Sequence, residues 1–203
     1  MIDGNALKAS YISGDDKGTF IVDLDNNLWA SGDNGYGSIG LSRINRTYYS
    51  FTPVLINNRP FKVKSAIKGF YSSMAIDMND NLWLTHDRFI QIFIDNVPIK
   101  AKSISRYHGL FIDMNDRPVI LRYSVADSRL QYIGDDSFKV KLIAAASHLF
   151  YVIDLSDHVW KFDGHKAKLD LIQGGYIYDL TPLNIKAKSI ATGIMHTLMI
   201  STY

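Results

Sequence analysis

The chain has 203 residues, enough for one sizeable domain with its own core. It is 47% hydrophobic and 21% charged with a net charge of +2, an ordinary globular composition that does not by itself point to nucleic acid. It has no cysteine, which excludes disulfides, thiolate catalysis and cysteine-based zinc sites, and permits a reducing compartment.

In chain order, the N-terminal Met1-Ile2-Asp3-Gly4-Asn5 lacks the basic-then-apolar pattern of a secretory signal. No apolar run approaches the roughly 20 residues needed to span a bilayer. The expected location is therefore intracellular, in cytoplasm or nucleus, away from the membrane.

One phrase then recurs along the chain. It reads Asp23-Leu24-Asp25-Asn26-Asn27-Leu28-Trp29, and returns from Asp77 to Trp83, from Asp113 to Val119 and from Asp154 to Trp160. A second phrase precedes it: Lys62-Val63-Lys64-Ser65, Lys100-Ala101-Lys102-Ser103, Lys139-Val140-Lys141-Leu142 and Lys186-Ala187-Lys188-Ser189. From the fourth residue of this phrase to the turn Asp is 12 residues for Ser65→Asp77 and Leu142→Asp154, and Ser189→Ser201 keeps that spacing. The copy Ser103→Asp113 is two residues shorter, and the first repeat is one longer if Ser10 stands for Ser65.

Self-similarity at this period means an array of small repeats. Alternation from Lys62 to Ile67 reads as a half-buried strand. Met74-Ala75-Ile76 leads into the Asp phrase and Leu82-Trp83-Leu84 leads out, a hairpin signal. The fifth turn position is Asn27, Asn81, Arg117 and His158; a left-handed backbone there would favour Asn, which makes the last two copies look degraded. Pro118 cannot donate to a ladder and predicts an edge or irregular strand. The expected fold is all-β: a propeller-like array of about four to five blades of short antiparallel strands. The boundaries read as one repeat domain over 1–203, with repeats at 8–58, 59–98, 99–137 and 138–184 and a half repeat at 185–203.

Two stretches carry a family resemblance. Ala187-Lys188-Ser189-Ile190-Ala191-Thr192-Gly193-Ile194-Met195-His196-Thr197-Leu198 resembles the repeat of the regulator of chromosome condensation family, with its I-A-x-G-x-x-H-T/S-L phrase. Leu28-Trp29-Ala30-Ser31-Gly32-Asp33-Asn34-Gly35-Tyr36-Gly37-Ser38-Ile39-Gly40 looks like that family's Gly-rich tail. The resemblance implies a propeller of seven blades, which needs many more residues than are present. The chain is thus a fragment, a smaller closed propeller whose half repeat is completed by the N-terminal segment, or an open partial one.

The candidate sites divide into structural and interacting groups. Asp23, Asp77, Asp113 and Asp154 hold fixed turn positions, where Asp bonds nearby backbone N–H groups. Trp29, Trp83 and Trp160 read as core anchors, and His196 as a structural member of its repeat. The lysines Lys62, Lys64, Lys100, Lys102, Lys139, Lys141, Lys186 and Lys188 read either as edge protection or as a basic arc for an acidic partner. Gly35-Tyr36-Gly37-Ser38-Ile39-Gly40 matches G-x-G-x-x-G without the helix and acidic residue of a dinucleotide site. Ala66-Ile67-Lys68 lacks the other kinase motifs. The six histidines form no ligand set, so no metal, cofactor or catalytic residue is expected.

The function expected is a non-catalytic protein-interaction scaffold. The alternatives are an exchange factor or regulator for a small GTPase, as the resemblance implies, and a structural component of a viral particle. The Ile, Asn, Asp and Lys bias and the eroded repeats resemble those of giant viruses and intracellular bacteria. The expected partner is a protein, a small GTPase or an acidic surface, with self-association possible through open blade edges; nucleic acid is possible but not favoured, and no membrane is expected.

Overall fold

The computed structural model describes residues 7–41, 46–69, 72–106, 109–122, 129–145, 149–163, 168–170, 175–177, 181–192 and 197–201. They form strands and turns, and no helix among these described residues is long and apolar enough to cross a membrane. The chain divides into two compact units, Met1–Lys100 and Ala101–Tyr203.

The first unit holds two antiparallel four-stranded sheets. One is β1 (Ala9–Gly14), β2 (Gly18–Asp23), β3 (Leu28–Asp33) and β4 (Thr47–Pro53), hydrogen-bonded in that order. A two-stranded ribbon follows, β5 (Leu55–Ile56) with β6 (Arg59–Pro60). The second sheet is β7 (Val63–Ile67), β8 (Met74–Asp77), β9 (Leu82–Thr85) and β10 (Phe89–Gln91), again in chain order. It too ends in a ribbon, β11 (Phe93–Ile94) with β12 (Val97–Pro98).

The second unit repeats the plan. Its first sheet is β13 (Ser103–Ile104), β14 (Leu110–Ile112), β15 (Pro118–Arg122) and β16 (Arg129–Tyr132). Its second begins with β17 (Val140–Ala145), β18 (Leu149–Asp154) and β19 (His158–Asp163), and β20 (Lys168–Asp170) pairs separately with β21 (Gly175–Ile177). β22 (Thr181–Thr192) then pairs first with β19 and, further on, with β23 (Thr197–Ser201). The half repeat is therefore hydrogen-bonded to the repeat before it. The edge expected at Pro118 is not found: β15 is central, between β14 and β16. Pro118 is its first residue, where no ladder donor is needed, and its carbonyl accepts from Ile133 N–H at 3.0 Å.

Neighbouring repeats within a unit pack by one rule. The residues three and one before the turn Asp point toward the next repeat. Phe20 and Val22 share a buried cluster with Val63, Ala66 and Ala75 of the following sheet. Leu110 and Ile112 do so with Val140 and Val152, and Ile143 packs against them. Ile153 joins Ala187, with Tyr151, Ile190 and Met199 packed alongside. The receiving side always includes the middle residue of the Lys-x-Lys phrase. That residue is buried in the four Lys-x-Lys copies, at Val63, Ala101, Val140 and Ala187, so burial of this apolar area is what each of them contributes to the core.

The glycine tail of the first repeat is part of this packing. Gly37 and Gly40 have left-handed backbones, at φ of 69° and 70°. A Cβ on Gly40 would lie 2.5 Å from the Phe89 ring, and one on Gly37 would lie 2.5 Å from Asp87 Cα. Asn34, fully buried, ties the loop by accepting from Ile39 N–H at 3.1 Å and donating to the Leu41 carbonyl at 2.7 Å. The G-x-G-x-x-G match is thus a sheet-to-sheet packing turn. Gly40→Ala combines backbone strain with overpacking, and is expected to cost about 2–4 kcal/mol in denaturant unfolding.

Candidate functional site

The repeated Asp is a hub of hydrogen bonds. Asp77 Oδ1 accepts from the N–H groups of Asn79 at 2.8 Å and Asn81 at 2.9 Å. Its Oδ2 accepts from Asn81 Nδ2 and from Trp83 Nε1, both at 2.9 Å. Asp23 makes the same set with Asp25, Asn27 and Trp29. Asp154 binds Ser156, His158 and Trp160. The Asp explains its own spacing: a carboxylate six residues before an indole can hold the turn and the tryptophan together.

The third and fourth copies are substituted rather than degraded. The left-handed residue is the fourth of the turn, at Asn26, Asp80, Asp116 and Asp157, and not the fifth. The fifth position donates its backbone N–H to the hub in every copy, and in the first three copies a side-chain N–H as well. Where Asn27 and Asn81 donate an amide, Arg117 donates Nε to Asp113 at 2.8 Å. His158 Nδ1 sits 3.3 Å from Asp154 Oδ2. Arg117 also reaches Asp136 at 3.1 Å and covers the Tyr132 ring at 4.0 Å, which replaces the tryptophan absent from this copy.

The tryptophans are half-buried clamps rather than fully buried core. Trp83 packs on Phe61 with ring centroids 4.9 Å apart, and Trp160 on Phe138 at 5.5 Å, nearly edge-on.

Burial alone raises the carboxyls of Asp23, Asp77 and Asp154. Hydrogen bonds from the indoles, from Asn27 and Asn81, and from backbone N–H groups outweigh it and hold all three below the ordinary Asp value. A folded pKa below the unfolded one stabilises fully above the unfolded pKa and ceases to as pH falls through the folded pKa. Unfolding free energy is therefore expected to stay flat from about pH 7 to 5 and to fall steeply below about pH 4. Denaturant titrations at several pH values measure it.

The Lys-x-Lys phrase splits into three jobs. The middle residue stitches repeats together: the N–H groups of Val63, Val140 and Ala187 donate to the carbonyls of Asn26, Asp116 and Asp157 at 2.9, 2.8 and 2.9 Å. The second lysine sits at a β-bulge, where the register shifts between Val63 and Ser65, Val140 and Leu142, and Ala187 and Ser189. It pairs with the fourth turn residue of its own repeat: Lys64 with Asp80 at 2.5 Å, Lys102 with Asp116 at 2.6 Å, and Lys141 with Asp157. The first lysine, at Lys62, Lys100, Lys139 and Lys186, makes no ion pair among the described residues. Lys62 Nζ donates only to the Asp25 carbonyl, at 3.2 Å.

The bulge also corrects the frame of the first repeat. Its register shift lies between Ala9 and Tyr11, so Lys8-Ala9-Ser10-Tyr11 is the true first phrase. Tyr11→Asp23 then keeps the 12-residue spacing. Ser10 stands where the others have lysine, and its hydroxyl donates to the carbonyls of Val22 and Asp23.

Two features escaped the sequence reading. The ribbons turn on Asn57-Asn58 and Asp95-Asn96, all four with positive φ. Their signal was present as Ile56-Asn57-Asn58-Arg59-Pro60 beside Ile94-Asp95-Asn96-Val97-Pro98, immediately before a lysine phrase. The other is Lys68, wholly buried, with Nζ 3.1 Å from Asp15 Oδ2 and 2.5 Å from the Gly69 carbonyl. Burial lowers its pKa, opposed by Asp15, Asp16 and Asp33.

Among the described residues no three His, Asp or Glu side chains gather as metal ligands. His86 and His158 are exposed; His108, His148, His165 and His196 lie outside the described residues, so the role expected of His196 is not addressed.

No family model matches the chain, and no curated protein does. Solved structures do. Human WBSCR16 matches with a TM-score of 0.68 at 11% identity, over 100% of this chain and 60% of that one. Yeast RCC1 (Prp20), in a structure bound to Kap60, matches with 0.67 at 11% identity, over 98% of this chain and 55% of that one. Prp20p from Saccharomyces cerevisiae, in a study titled for its binding properties to Gsp1p and histones, gives 0.61 at 17% identity, over 94% and 54%. The chain thus spans a little over half the length of the structures it matches. Repeats of four short antiparallel strands, hinged on a carboxylate turn and stitched through the Lys-x-Lys amide, give this chain an RCC1-like β-propeller fold.

Proposed function

We propose that the protein is a non-catalytic scaffold that binds an acidic protein partner through the first lysine of each repeat and the adjoining ribbons. The observation that carries this reading is the division of labour in the lysine phrase. The second lysines Lys64, Lys102 and Lys141 are engaged in ion pairs, while among the described residues Lys62, Lys100, Lys139 and Lys186 meet no carboxylate, and Lys62, Lys100 and Lys186 are exposed. Lys62 and Lys100 each follow a ribbon by two residues, and each ribbon carries an exposed apolar residue at one position, Leu55 and Phe93. Unpaired cations beside exposed apolar side chains suit a partner that is acidic with apolar anchors. The named partners of Prp20, Kap60 and Gsp1p among them, support a protein partner and keep regulation of a small GTPase as the second reading.

The test compares two variants, one with Lys62, Lys100, Lys139 and Lys186 changed to Ala, the other with Lys64, Lys102 and Lys141. Binding to purified small GTPases and to an acidic amphipathic peptide is measured at low and high salt. The first variant should lose about tenfold or more in affinity and much of its salt dependence, with an unchanged melting temperature. Equal affinity for both variants and wild type contradicts the reading. Faster release of labelled nucleotide from one GTPase would favour the exchange-factor reading.

A further inference from the structure

We infer that the junction of the third and fourth repeats holds a cavity for a peptide segment of a protein partner, one that sets an acidic side chain beside an apolar one. The inference deepens the proposed function and rests on its reading of a protein partner. It starts from a departure from the repeat. Phe61 lies seven residues after the buried anchor Val54, and Ile99 seven after Ile92. Both segments close alike: Phe61 N–H donates to the Val54 carbonyl at 2.9 Å, and Ile99 N–H to the Ile92 carbonyl at 3.0 Å. The Phe61 and Ile99 carbonyls then accept from Leu28 and Leu82 N–H, at 2.9 and 2.8 Å. In the third repeat the anchor is Ile133, and Phe138 follows it by only five residues. Pro118 stands where Leu28 and Leu82 stand, and proline has no N–H to offer the Phe138 carbonyl. The segment makes a turn in place of a ribbon, with Phe138 N–H donating to the Asp135 carbonyl at 3.0 Å. Phe138 is left half-buried, whereas Phe61 is buried. Beside it a cavity of about 380 Å³ opens between this shortened turn and the hub turn of the fourth repeat.

The lining of the cavity states what it would take. Phe138 and Trp160, nearly edge-on, and the exposed Leu155 form its apolar wall. Two half-buried rings beside an exposed leucine suit an apolar anchor side chain. The charged groups around them are Asp135, Asp154 and Lys139. Asp154 is already occupied by the donors of its own turn. Asp135 Oδ1 accepts from the N–H of Ser137 at 2.9 Å and from its hydroxyl at 2.5 Å. Lys139, half-buried, meets no carboxylate among the described residues. The charge that complements the cavity is therefore negative, and its place is beside Lys139. The walls are set before any ligand arrives. Arg117 pairs with Asp136, and Gly134 has a left-handed φ of 75° that brings it against Phe138, where a Cβ would lie 2.8 Å from the Phe138 Cβ. A preformed wall lowers the ordering cost of binding. Gly134, Ser137, Leu155 and Ser156 are exposed at the rim, so a peptide can lie across the cavity while two neighbouring side chains enter it. The volume is at the lower end of ordinary ligand sites, about 300–1,000 Å³.

The experiment is an NMR titration of the full 203-residue chain, followed at the indole N–H signals of Trp29, Trp83 and Trp160. The probes are short end-blocked peptides in which Phe-Glu, Phe-Gln or Phe-Lys is flanked by glycines. The Phe-Glu peptide should shift the Trp160 signal saturably and leave the other two in place. It should bind about tenfold more tightly than the Phe-Gln and Phe-Lys peptides, and lose much of that advantage at high salt. Lys139→Gln should abolish the preference for Glu over Gln. Ser156→Phe, which fills the cavity and alters no charge, should abolish the shift. Signal dispersion shows whether each variant is folded, and Leu155→Ser replaces Ser156→Phe if that chain unfolds. No saturable shift at Trp160 up to millimolar peptide overturns the inference, as does a preference for Glu that survives Lys139→Gln. The lysine variants described under the proposed function keep the two readings apart. Partner binding that is lost with Lys62, Lys100 and Lys186 changed but persists in Ser156→Phe rejects the cavity and retains the scaffold. Trp160 shifts in a chain that captures none of the proteins tested retain the peptide site and reject the scaffold.

Discussion

Asp77→Ala should lower the unfolding free energy by on the order of 3–4 kcal/mol, measured by denaturant titration at neutral pH. The substitution removes one acceptor group and leaves four donors: two backbone N–H groups, the Asn81 amide and the Trp83 indole. Each bond to a carboxylate contributes about 1.5–3 kcal/mol when broken singly, but four bonds to one group are not additive. Asp77→Asn separates the terms. Its oxygen can still serve the two backbone donors, but its NH₂ then faces the Trp83 N–H, donor against donor. The loss should be intermediate, and it should shrink in the Trp83→Phe background, where the indole donor is gone. A loss below about 1 kcal/mol for Asp77→Ala would mean that the turn is held by its backbone alone.

The same hub shows what a sequence can and cannot disclose. The six-residue spacing of Asp and Trp is a direct imprint of one hydrogen bond, so the hairpin, the repeat and the all-β class could be read from it. Arg117 and His158 misled because conformation was assigned to the fifth turn position. The left-handed backbone is at the fourth, where Asn26, Asp80, Asp116 and Asp157 are all residues that tolerate it. What the fifth position provides in every copy is its backbone N–H, to which Asn27, Asn81 and Arg117 add a side-chain donor. The lysine phrase misled in a similar way. Two lysines sharing a face read as a pair, yet the second turns toward Asp80, Asp116 or Asp157, at a bulge in the case of Lys64 and Lys141, which only the strand register discloses. Ser10 was misplaced by one residue because its hydroxyl occupies the bulge without resembling a lysine.

Asp15→Ala should cost about 3–5 kcal/mol, although it lies outside the repeated phrases. The Lys68 side chain is 0% exposed, with Asp15 as its only ion-pair partner among the described residues and the Gly69 carbonyl beside it. Removing the carboxylate leaves an ammonium in the interior with one neutral acceptor. It also frees the N–H groups of Lys17 and Gly18, which Asp15 Oδ1 accepts at 3.0 and 2.9 Å. The Lys68 main-chain N–H donates to Ser13 Oγ at 3.1 Å, and Ser73 links Gly69 to the Ser38 carbonyl. This network fastens the first sheet and its glycine tail to the second. Adding Lys68→Met to Asp15→Ala removes the unpaired charge and should restore about 1–2 kcal/mol. No restoration would mean that the cost lies in the turn and not in the buried charge.

Neither the hub nor the buried pair resembles a reacting site: each carboxylate is saturated by donors of its own turn or by one lysine. Under the proposed function, the surface offered to a partner lies elsewhere, in the first lysines and the ribbons. The repeats hold the fold together.

Native-state hydrogen exchange at the amides of Val63, Val140 and Ala187 tests the central claim most directly. If these amides stitch each repeat to the turn before it, all three should exchange only by opening of the core, with protection matching that of β8 and β18. Exchange as fast as that of the ribbon turns at Asn58 and Asn96 would contradict the account, because the repeats would then be packed beside one another without being joined.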